Sequence, residues 1–197
     1  MNAIRHSELW AQMMVVIGSI GVLVASASDV NVFDGGAIVG TGGYRLAWIG
    51  DAEDDPGKTV RPMAQAGYEA GYLETLKITW ADTERGRGPT GTAIRTGQPA
   101  MARDILTDPH FEPWRAEAIK RGYASSCVLP LHSHGQTLGA LNIYAAEPDA
   151  FSPEEVKLLS DLAGNLAFGI MALRAQTARQ RDAVALRESE KKLRDLT

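Results

Sequence analysis

The chain has 197 residues, of which 45% are hydrophobic and 22% are charged, and its formal net charge at pH 7 is −4. These values are typical of a folded protein with one domain of ordinary size and an accessory segment. The slightly acidic balance provides no basic face for a phosphate backbone, which argues against nucleic acid as a partner. Cys127 is the single cysteine, so an internal disulfide is excluded and a reducing, cytoplasmic setting is favoured.

The first 42 residues are predicted to form a helical segment. Within it, residues 9–27 are apolar apart from Gln12, Ser19 and Ser26. This length approaches the roughly 20 apolar residues of a membrane span, and the Ala-Ser-Ala ending resembles a signal-peptidase site. We favour a buried helix that packs on a sheet. A membrane anchor or signal peptide formed by residues 9–27 is the alternative.

The first predicted hairpin spans residues 44–67. Tyr44–Gly50 is predicted to be a strand, and Thr59–Gly67 follows as the antiparallel partner after a polar turn. Pro62 cannot donate to a central ladder, so the second strand is expected at a sheet edge or a bulge. The alternation predicts that three large side chains share one face, namely Tyr44, Leu46 and Trp48.

A second hairpin is predicted from Ser125–Leu131 and Thr137–Ala145, joined by a turn at residues 132–135. Glycine and proline residues between the two hairpins mark the ends of three shorter elements. These are a helical turn, a short strand and a helix, at Thr92–Thr96, Gln98–Asp104 and Trp114–Arg121.

A long closing helix begins at residues 152–155. Ser152 is a suitable N-cap, Pro153 suits the first helical position, and Glu155 completes a capping box. Further along, a heptad seam is formed by Leu166, Ile170, Leu173, Thr177 and Val184. Leu186, Leu193 and Leu196 follow a different phase. Because such a narrow seam needs a partner helix, residues 173–197 are predicted to be a coiled-coil signalling helix in a homodimer.

Five fragments occur in a recognisable order: GRGPTGTAIRTGQPA at 86–100, DPHFEPW at 108–114, GYASSCVLPL at 122–131, GQTLGALNIY at 135–144 and FSPEE at 151–155. Together they resemble the bacterial GAF domain, a small-molecule-sensing module of signalling proteins. The resemblance covers about residues 43–172. It implies an α+β fold in which an antiparallel sheet carries helices on one face and a loop-rich ligand pocket on the other, with a long C-terminal helix.

The resemblance places this pocket between the sheet and a roof near residues 80–114. Candidate pocket residues are Trp48, Trp80, Thr92, His110, Trp114, Tyr123, Ser125, Cys127 and Asn142. Three of them, Ser125, Cys127 and Asn142, interrupt apolar strands, where a ligand's polar atoms would need partners. The alternative is that these side chains bond to neighbouring backbone.

Cofactor and metal sites lack their usual residues. Cyclic-nucleotide-binding GAF domains carry an Asn-Lys pair, whereas Asn142 is followed by isoleucine. Cys127 lies in a predicted strand, which is not the usual position for bilin attachment. The turn histidines His132 and His134 are too few for a structural zinc site, which needs about four ligands. His110 is the haem candidate, and no cofactor is assigned.

The resemblance therefore implies a regulatory module and not an enzyme. It would belong to a sensor histidine kinase of a two-component system or to a diguanylate cyclase. The ending LRESEKKLRDLT, at residues 186–197, resembles the leader that precedes PAS domains. A ligand-free dimerisation scaffold is one alternative. A methionine sulfoxide reductase is another, but it would need a resolving cysteine in addition to Cys127.

Overall fold

The computed structural model describes residues 37–68 and 71–194. The apolar stretch at residues 9–27 and Leu196 lie outside the described residues, as does most of the predicted N-terminal helical segment. The first described element is a π-helical turn, Ala37–Thr41, which precedes the sheet.

The described strands form a single antiparallel sheet with the order β2-β1-β5-β4-β3. Their bounds are Leu46–Ala52 for β1, Val60–Gly67 for β2, Ala100–Ala102 for β3, Ser125–Ser133 for β4 and Gln136–Ala145 for β5. Both predicted hairpins are therefore confirmed, as is the short strand between them. The antiparallel sheet with helices and a long C-terminal helix confirms the α+β prediction.

Four α-helices connect and follow the strands in the described part of the chain. They are α1 at Tyr72–Thr75, α2 at Pro89–Thr96, α3 at Glu112–Lys120 and α4 at Pro153–Arg194. Single 3-10 turns lie at Glu84–Gly86 and Pro109–Phe111. Helix α2 starts three residues earlier than predicted, because Pro89 occupies its first turn after an N-cap at Gly88. Gly97 ends it in the left-handed conformation, with φ at 66°.

Pro62 lies where the sequence predicts it, on an edge strand beside a bulge. Strand β2 is the outermost strand next to β1. Ile49 pairs with Ala64, but the next residue of β1, Gly50, pairs with Pro62. Met63 is therefore the extra residue on β2. Proline has no N–H to donate to a neighbouring strand. Its position beside a bulge on an edge strand means that no such hydrogen bond is required of it.

Both faces of the sheet are buried. On one face, Leu46 and Trp48 of β1 lie in a core with the segment 72–123, which we call the roof; this is the roof-side core. On the other face, Ala47 and Ile49 pack with the first half of α4 in the helix-side core. The predicted alternation of β1 thus holds within the strand.

Tyr44 is an exception to that alternation. The pattern predicts it beside Leu46 and Trp48, but it lies in the helix-side core, where its ring stacks on Phe151 at 5.2 Å. The reason is that β1 begins at Leu46, so the period of two does not extend back to Tyr44.

The capping box at the start of α4 is formed as predicted. The Ser152 hydroxyl accepts a bond of 3.2 Å from the Glu155 N–H, and the Glu155 carboxylate accepts one of 2.8 Å from the Ser152 N–H. The helix packs on the sheet through Leu159, Leu162, Ala163, Leu166 and Ala167. From Arg174 onward every side chain that the structure describes is exposed.

Among the described residues one helix, over Pro153–Lys192, is long and apolar enough to cross a membrane by length and composition. This is weak evidence for a span, because the core helix of a soluble protein passes the same test.

Candidate ligand site between the sheet and the roof

A small cavity lies between β5 and the roof. Its volume is about 10 Å³. It is lined by Leu76, Ile78, Pro89, Thr90, Phe111, Trp114 and Tyr144. A space of this size accommodates one water molecule at most. The region where the resemblance places a ligand is therefore filled by the chain's own side chains.

Aromatic rings make up most of this filling, with Tyr144 at their centre. Its ring centroid lies 4.9 Å from that of Tyr123, 5.7 Å from that of Tyr72 and 6.4 Å from that of Phe111. Most of these pairs meet edge to face, as does Phe111 with Trp114 at 5.9 Å. Such contacts add about 0.5–1.5 kcal/mol per pair beyond the burial of apolar area.

One buried hydrogen bond joins the roof to the sheet through polar side chains. The Thr90 hydroxyl of α2 donates to the Asn142 side-chain oxygen of β5 at 2.7 Å. The Asn142 amide nitrogen donates to the Ala140 carbonyl at 3.3 Å. Asn142 is fully buried and Thr90 is 6% exposed. This bond fixes α2 over the middle of the sheet.

Four other buried polar atoms in this region have no hydrogen-bond partner of ordinary geometry among the described residues. They are Trp48 Nε1, Tyr72 Oη, Trp114 Nε1 and Ser126 Oγ. The strand register places Trp48 opposite Asn142 in one row of the sheet and Ser126 opposite Tyr144 in the next. Tyr72 and Trp48 also lie within reach of a weak hydrogen bond to the Tyr144 hydroxyl, although neither contact has ordinary hydrogen-bond geometry. The polar atoms therefore converge on the area around Tyr144.

Four of the residues predicted for the pocket lie in this roof-side core or bond within it. Trp48, Trp114 and Tyr123 belong to the roof-side core, and Asn142 bonds to Thr90 there. Trp80 lies at the rim, where its indole N–H donates to the Glu53 carbonyl at 2.9 Å.

Ser125 and Cys127 do not face the roof, which corrects the expectation for both. Val128 and Ser126 pair with Asn142 and Tyr144, so the intervening Cys127 points to the opposite face. Cys127 lies in the helix-side core. The Ser125 hydroxyl donates to the Glu147 carbonyl at 2.6 Å. For Ser125 the alternative of a backbone bond is the correct one.

Thr92 and His110 also lie away from the cavity. The Thr92 hydroxyl donates to the Arg87 carbonyl at 3.1 Å. The His110 side chain is 67% exposed, and its Nδ1 lies 3.4 Å from an Asp108 carboxylate oxygen. An imidazole in this position is not directed at the roof-side core, so the structure gives no support to the haem candidate. No cluster of three or more potential metal ligands occurs in the described part of the chain.

Sequence reasoning missed Tyr72, Thr90, Ser126 and Tyr144. Ser126 and Tyr144 could have been found from strand alternation, because each lies two positions from a residue of the roof face, Val128 or Asn142. Thr90 could have been found by starting α2 at Pro89. For Tyr72 no signal existed, since it belongs to a four-residue helix within an irregular segment.

We expect Cys127 to be inert toward maleimide in the folded protein. Burial raises the pKa of its thiol to about 12, so almost no thiolate is present at neutral pH. Mass spectrometry after maleimide treatment should show slow modification in buffer and complete modification in denaturant. Rapid labelling of the native protein would contradict this placement of the thiol.

Comparisons with known proteins agree with this architecture. A sequence model described as the GAF domain matches residues 35–171. A search of curated proteins gave no match. The GAF domain of a phosphoenolpyruvate-protein phosphotransferase from Coxiella burnetii has a TM-score of 0.68 at 22% identity, over 84% of this chain and 96% of that one.

Two further solved structures are similar in fold. Free methionine-R-sulfoxide reductase from Neisseria meningitidis has a TM-score of 0.66 at 20% identity, covering 84% of this chain and 92% of the reductase. A domain of a putative two-component sensor histidine kinase from Sinorhizobium meliloti 1021 has a TM-score of 0.55 at 22% identity, covering 73% and 90%. The likenesses to solved structures concern the fold alone, whereas the sequence model spans more than half of the chain. The chain therefore belongs to the GAF domain family.

Proposed function

We propose that this chain is a regulatory module that binds a small molecule between the sheet and the roof. In this proposal it passes the bound state through α4 to an output domain of a bacterial signalling protein. The observation that carries the proposal is a group of buried polar atoms around Tyr144. Trp114 Nε1 and Ser126 Oγ have no hydrogen-bond partner among the described residues, and Trp48 Nε1 and Tyr72 Oη have at most the Tyr144 hydroxyl. Leaving a buried polar group unbonded costs about 1–3 kcal/mol, and a ligand that bonded to several such groups would recover part of that cost.

A route from this site to α4 runs through β1. Trp48 faces the roof-side core, and three residues later the Asp51 carboxylate pairs with Arg174 of α4 at 2.6 Å. Asp51 also pairs with Arg61 of β2 at 3.2 Å and is only 14% exposed. Arg174 is the point at which α4 leaves the sheet. A ligand that displaced β1 would therefore act on the direction in which α4 leaves the domain.

Beyond Arg174, α4 has apolar side chains without contacts in the domain. Val184 is 52% exposed and Leu186 is 61% exposed. In the proposal, residues 173–197 pair with a second copy of the chain. A downstream PAS, histidine kinase or diguanylate cyclase domain receives the signal. The likeness to a sensor histidine kinase domain and to a phosphotransferase GAF domain supports this context.

A reductase function is less well supported, although methionine-R-sulfoxide reductases are among the proteins of similar fold. Reduction of a sulfoxide by thiols needs an accessible, reactive cysteine and a resolving partner. Cys127 is the single cysteine, and it is buried on the face of the sheet that carries α4. An assay of free methionine sulfoxide reduction is expected to show no turnover.

Asn142→Leu is expected to abolish the binding of ligands found by native mass spectrometry or by a thermal-shift screen of metabolites. The change removes the bond to Thr90 and fills the space near the cavity with a branched alkyl group. A net hydrogen bond contributes about 0.5–1.5 kcal/mol, and an unpaired Thr90 hydroxyl would increase the loss of stability. The domain should remain folded by circular dichroism.

Ser125→Ala is the matched control for Asn142→Leu. It also removes one side-chain hydrogen bond from an inner strand, the part-buried bond to the Glu147 carbonyl, but on the opposite face. It should lower stability by about 1 kcal/mol and leave ligand binding unchanged. Normal binding by Asn142→Leu, or equal loss in both variants, would show that the ligand binds elsewhere. If the screen finds no compound that binds, the alternative of a ligand-free dimerisation scaffold is favoured.

Truncation after Arg174 is expected to convert a dimer into a monomer, as measured by light scattering. A helix exposed on all sides lacks tertiary support, so the seam residues should pair between two copies. Val184→Glu, on the seam, should weaken the dimer. Ser189→Glu, which adds the same charge at an outer heptad position, should not. A full-length chain that is monomeric at high micromolar concentration would contradict this proposal.

A further inference from the structure

The unpartnered polar atoms of the roof-side core can act as hydrogen-bond donors. The indole N–H groups of Trp48 and Trp114 can only donate, and the hydroxyls of Tyr72 and Ser126 donate as well as accept. All four side chains are more than nine-tenths buried, with exposures of 0%, 6%, 0% and 1% in that order. A ligand that complements this set must present acceptor atoms.

The lining of the cavity includes no charged side chain. Two guanidinium groups lie beside the roof residues Tyr72 and Gly122, those of Arg121 and Arg45, and Arg45 Nε is a further buried atom without a partner among the described residues. The buried polar residues of the described chain are Thr90, Ser125, Ser126 and Asn142, and no ionised side chain is among them. Arg121 lies over the Tyr72 ring at 5.2 Å, but its guanidinium is already paired with Glu117 at 2.8 Å. A carboxylate or phosphate that entered the cavity would lose its hydration and meet no opposite charge in the cavity lining, which disfavours anionic ligands.

The shape of the site follows from its aromatic filling. The cavity of about 10 Å³ is far smaller than any ring compound, so a ligand must displace part of the roof. The side chains that line it from the roof include the rings of Phe111 and Trp114. A flat ring that takes the place of the Phe111 ring would keep edge-to-face contact with Tyr144 and leave the Trp114 indole N–H in place as a donor.

We infer that the ligand is an uncharged, planar ring compound whose oxygen or nitrogen atoms accept hydrogen bonds, such as a cyclic carbonyl compound. The inference rests on the proposed function, because it names the chemical class of the ligand for that same site. It excludes carboxylates and phosphates as the principal ligand, and also apolar rings without acceptors.

Three bicyclic probes separate these classes in titrations of the full chain followed by ligand-observed NMR. Coumarin is neutral and carries two acceptor oxygens, naphthalene has a similar shape without acceptors, and coumarin-3-carboxylate adds a negative charge. Coumarin should bind at least about tenfold more tightly than either of the others, as expected for two or more hydrogen bonds to buried donors.

Two variants identify the donors with minimal change in volume. Tyr72→Phe removes one hydroxyl and Ser126→Ala removes another, and neither hydroxyl has a partner of ordinary geometry among the described residues. Each should weaken coumarin binding about threefold or more and leave naphthalene binding unchanged. Ser125→Ala, on the other face of the sheet, should change neither.

The outcomes distinguish this inference from the function on which it rests. If coumarin-3-carboxylate binds as tightly as coumarin, the ligand class is wrong and the binding site stands. If naphthalene binds as tightly and both variants behave like the natural chain, the requirement for acceptors is wrong. If none of the three probes binds, the site does not open to a ring compound, and both the inference and the proposed pocket fail.

Discussion

Replacement of Gly91 by alanine is expected to destabilise the domain strongly and to abolish ligand binding. A Cβ atom on Gly91 would lie 2.7 Å from the Thr79 carbonyl oxygen and closer still to the Gly86 carbonyl oxygen. Both are backbone atoms, so no side-chain rotation can relieve the clash and α2 must move. Overpacking of this kind costs about 1–3 kcal/mol or more. The cost exceeds the ~1 kcal/mol by which alanine is favoured over glycine in a helix.

The displacement of α2 should also reach the ligand site. The residue before Gly91 is Thr90, which bonds to Asn142, and Pro89 lines the cavity beside it. Even a shift of a few tenths of an ångström would lengthen the Thr90–Asn142 bond. We therefore expect loss of binding in any Gly91→Ala protein that still folds.

Gly164→Ala provides the matched control for Gly91→Ala. Gly164 lies within α4 and is exposed, and a Cβ atom added to it would meet no other part of the described chain within 4 Å. Alanine there should stabilise the domain by about 0.5–1 kcal/mol. Urea unfolding measures both changes. If Gly91→Ala were as stable as the natural chain, α2 could not lie as close to Thr79 and Gly86 as the structure places it.

The elements that the sequence predicted well are determined by neighbouring residues. The second hairpin follows from two apolar runs around a short turn. The start of α4 follows from Ser152, Pro153 and Glu155, which satisfy each other's backbone groups within one turn. Such local arrangements require no knowledge of distant contacts, so their positions could be predicted within a few residues.

The candidate site was harder to predict because it depends on which face of each strand meets the roof. In β4 both faces are buried, so Ser125 and Cys127 look as suitable for a pocket as Ser126 does. The register between Val128 and Asn142 decides the question, and that pairing joins two different strands. Tyr72 was missed for a related reason, since its segment has no periodicity that could be read.

We expect the domain to lose stability steeply as the pH rises above about 9. Burial raises the pKa of Cys127 to about 12 from its ordinary value of 9.0, and that of Tyr144 to about 12 from 10.0. Burial raises the pKa of Tyr44 and Tyr72 still further. Above these ordinary values the unfolded chain releases protons that the folded chain retains. The unfolded state is then favoured increasingly. The stability that these buried groups contribute is fully present below pH 9 and is lost as the pH rises toward 12.

Tyr72→Phe tests whether a residue of the candidate site contributes to this loss. One fully retained proton changes stability by about 1.4 kcal/mol per pH unit, so removing Tyr72 should make the decline above pH 10 shallower by that amount. Near neutral pH the variant should be at least as stable as the natural chain, because the change removes a buried hydroxyl that has no partner of ordinary geometry among the described residues. Urea unfolding at several pH values measures both effects. If the free energies of unfolding of the variant and the natural chain fall in parallel with pH, Tyr72 ionises normally in the folded domain. Such ionisation would contradict the burial of its hydroxyl in the roof-side core.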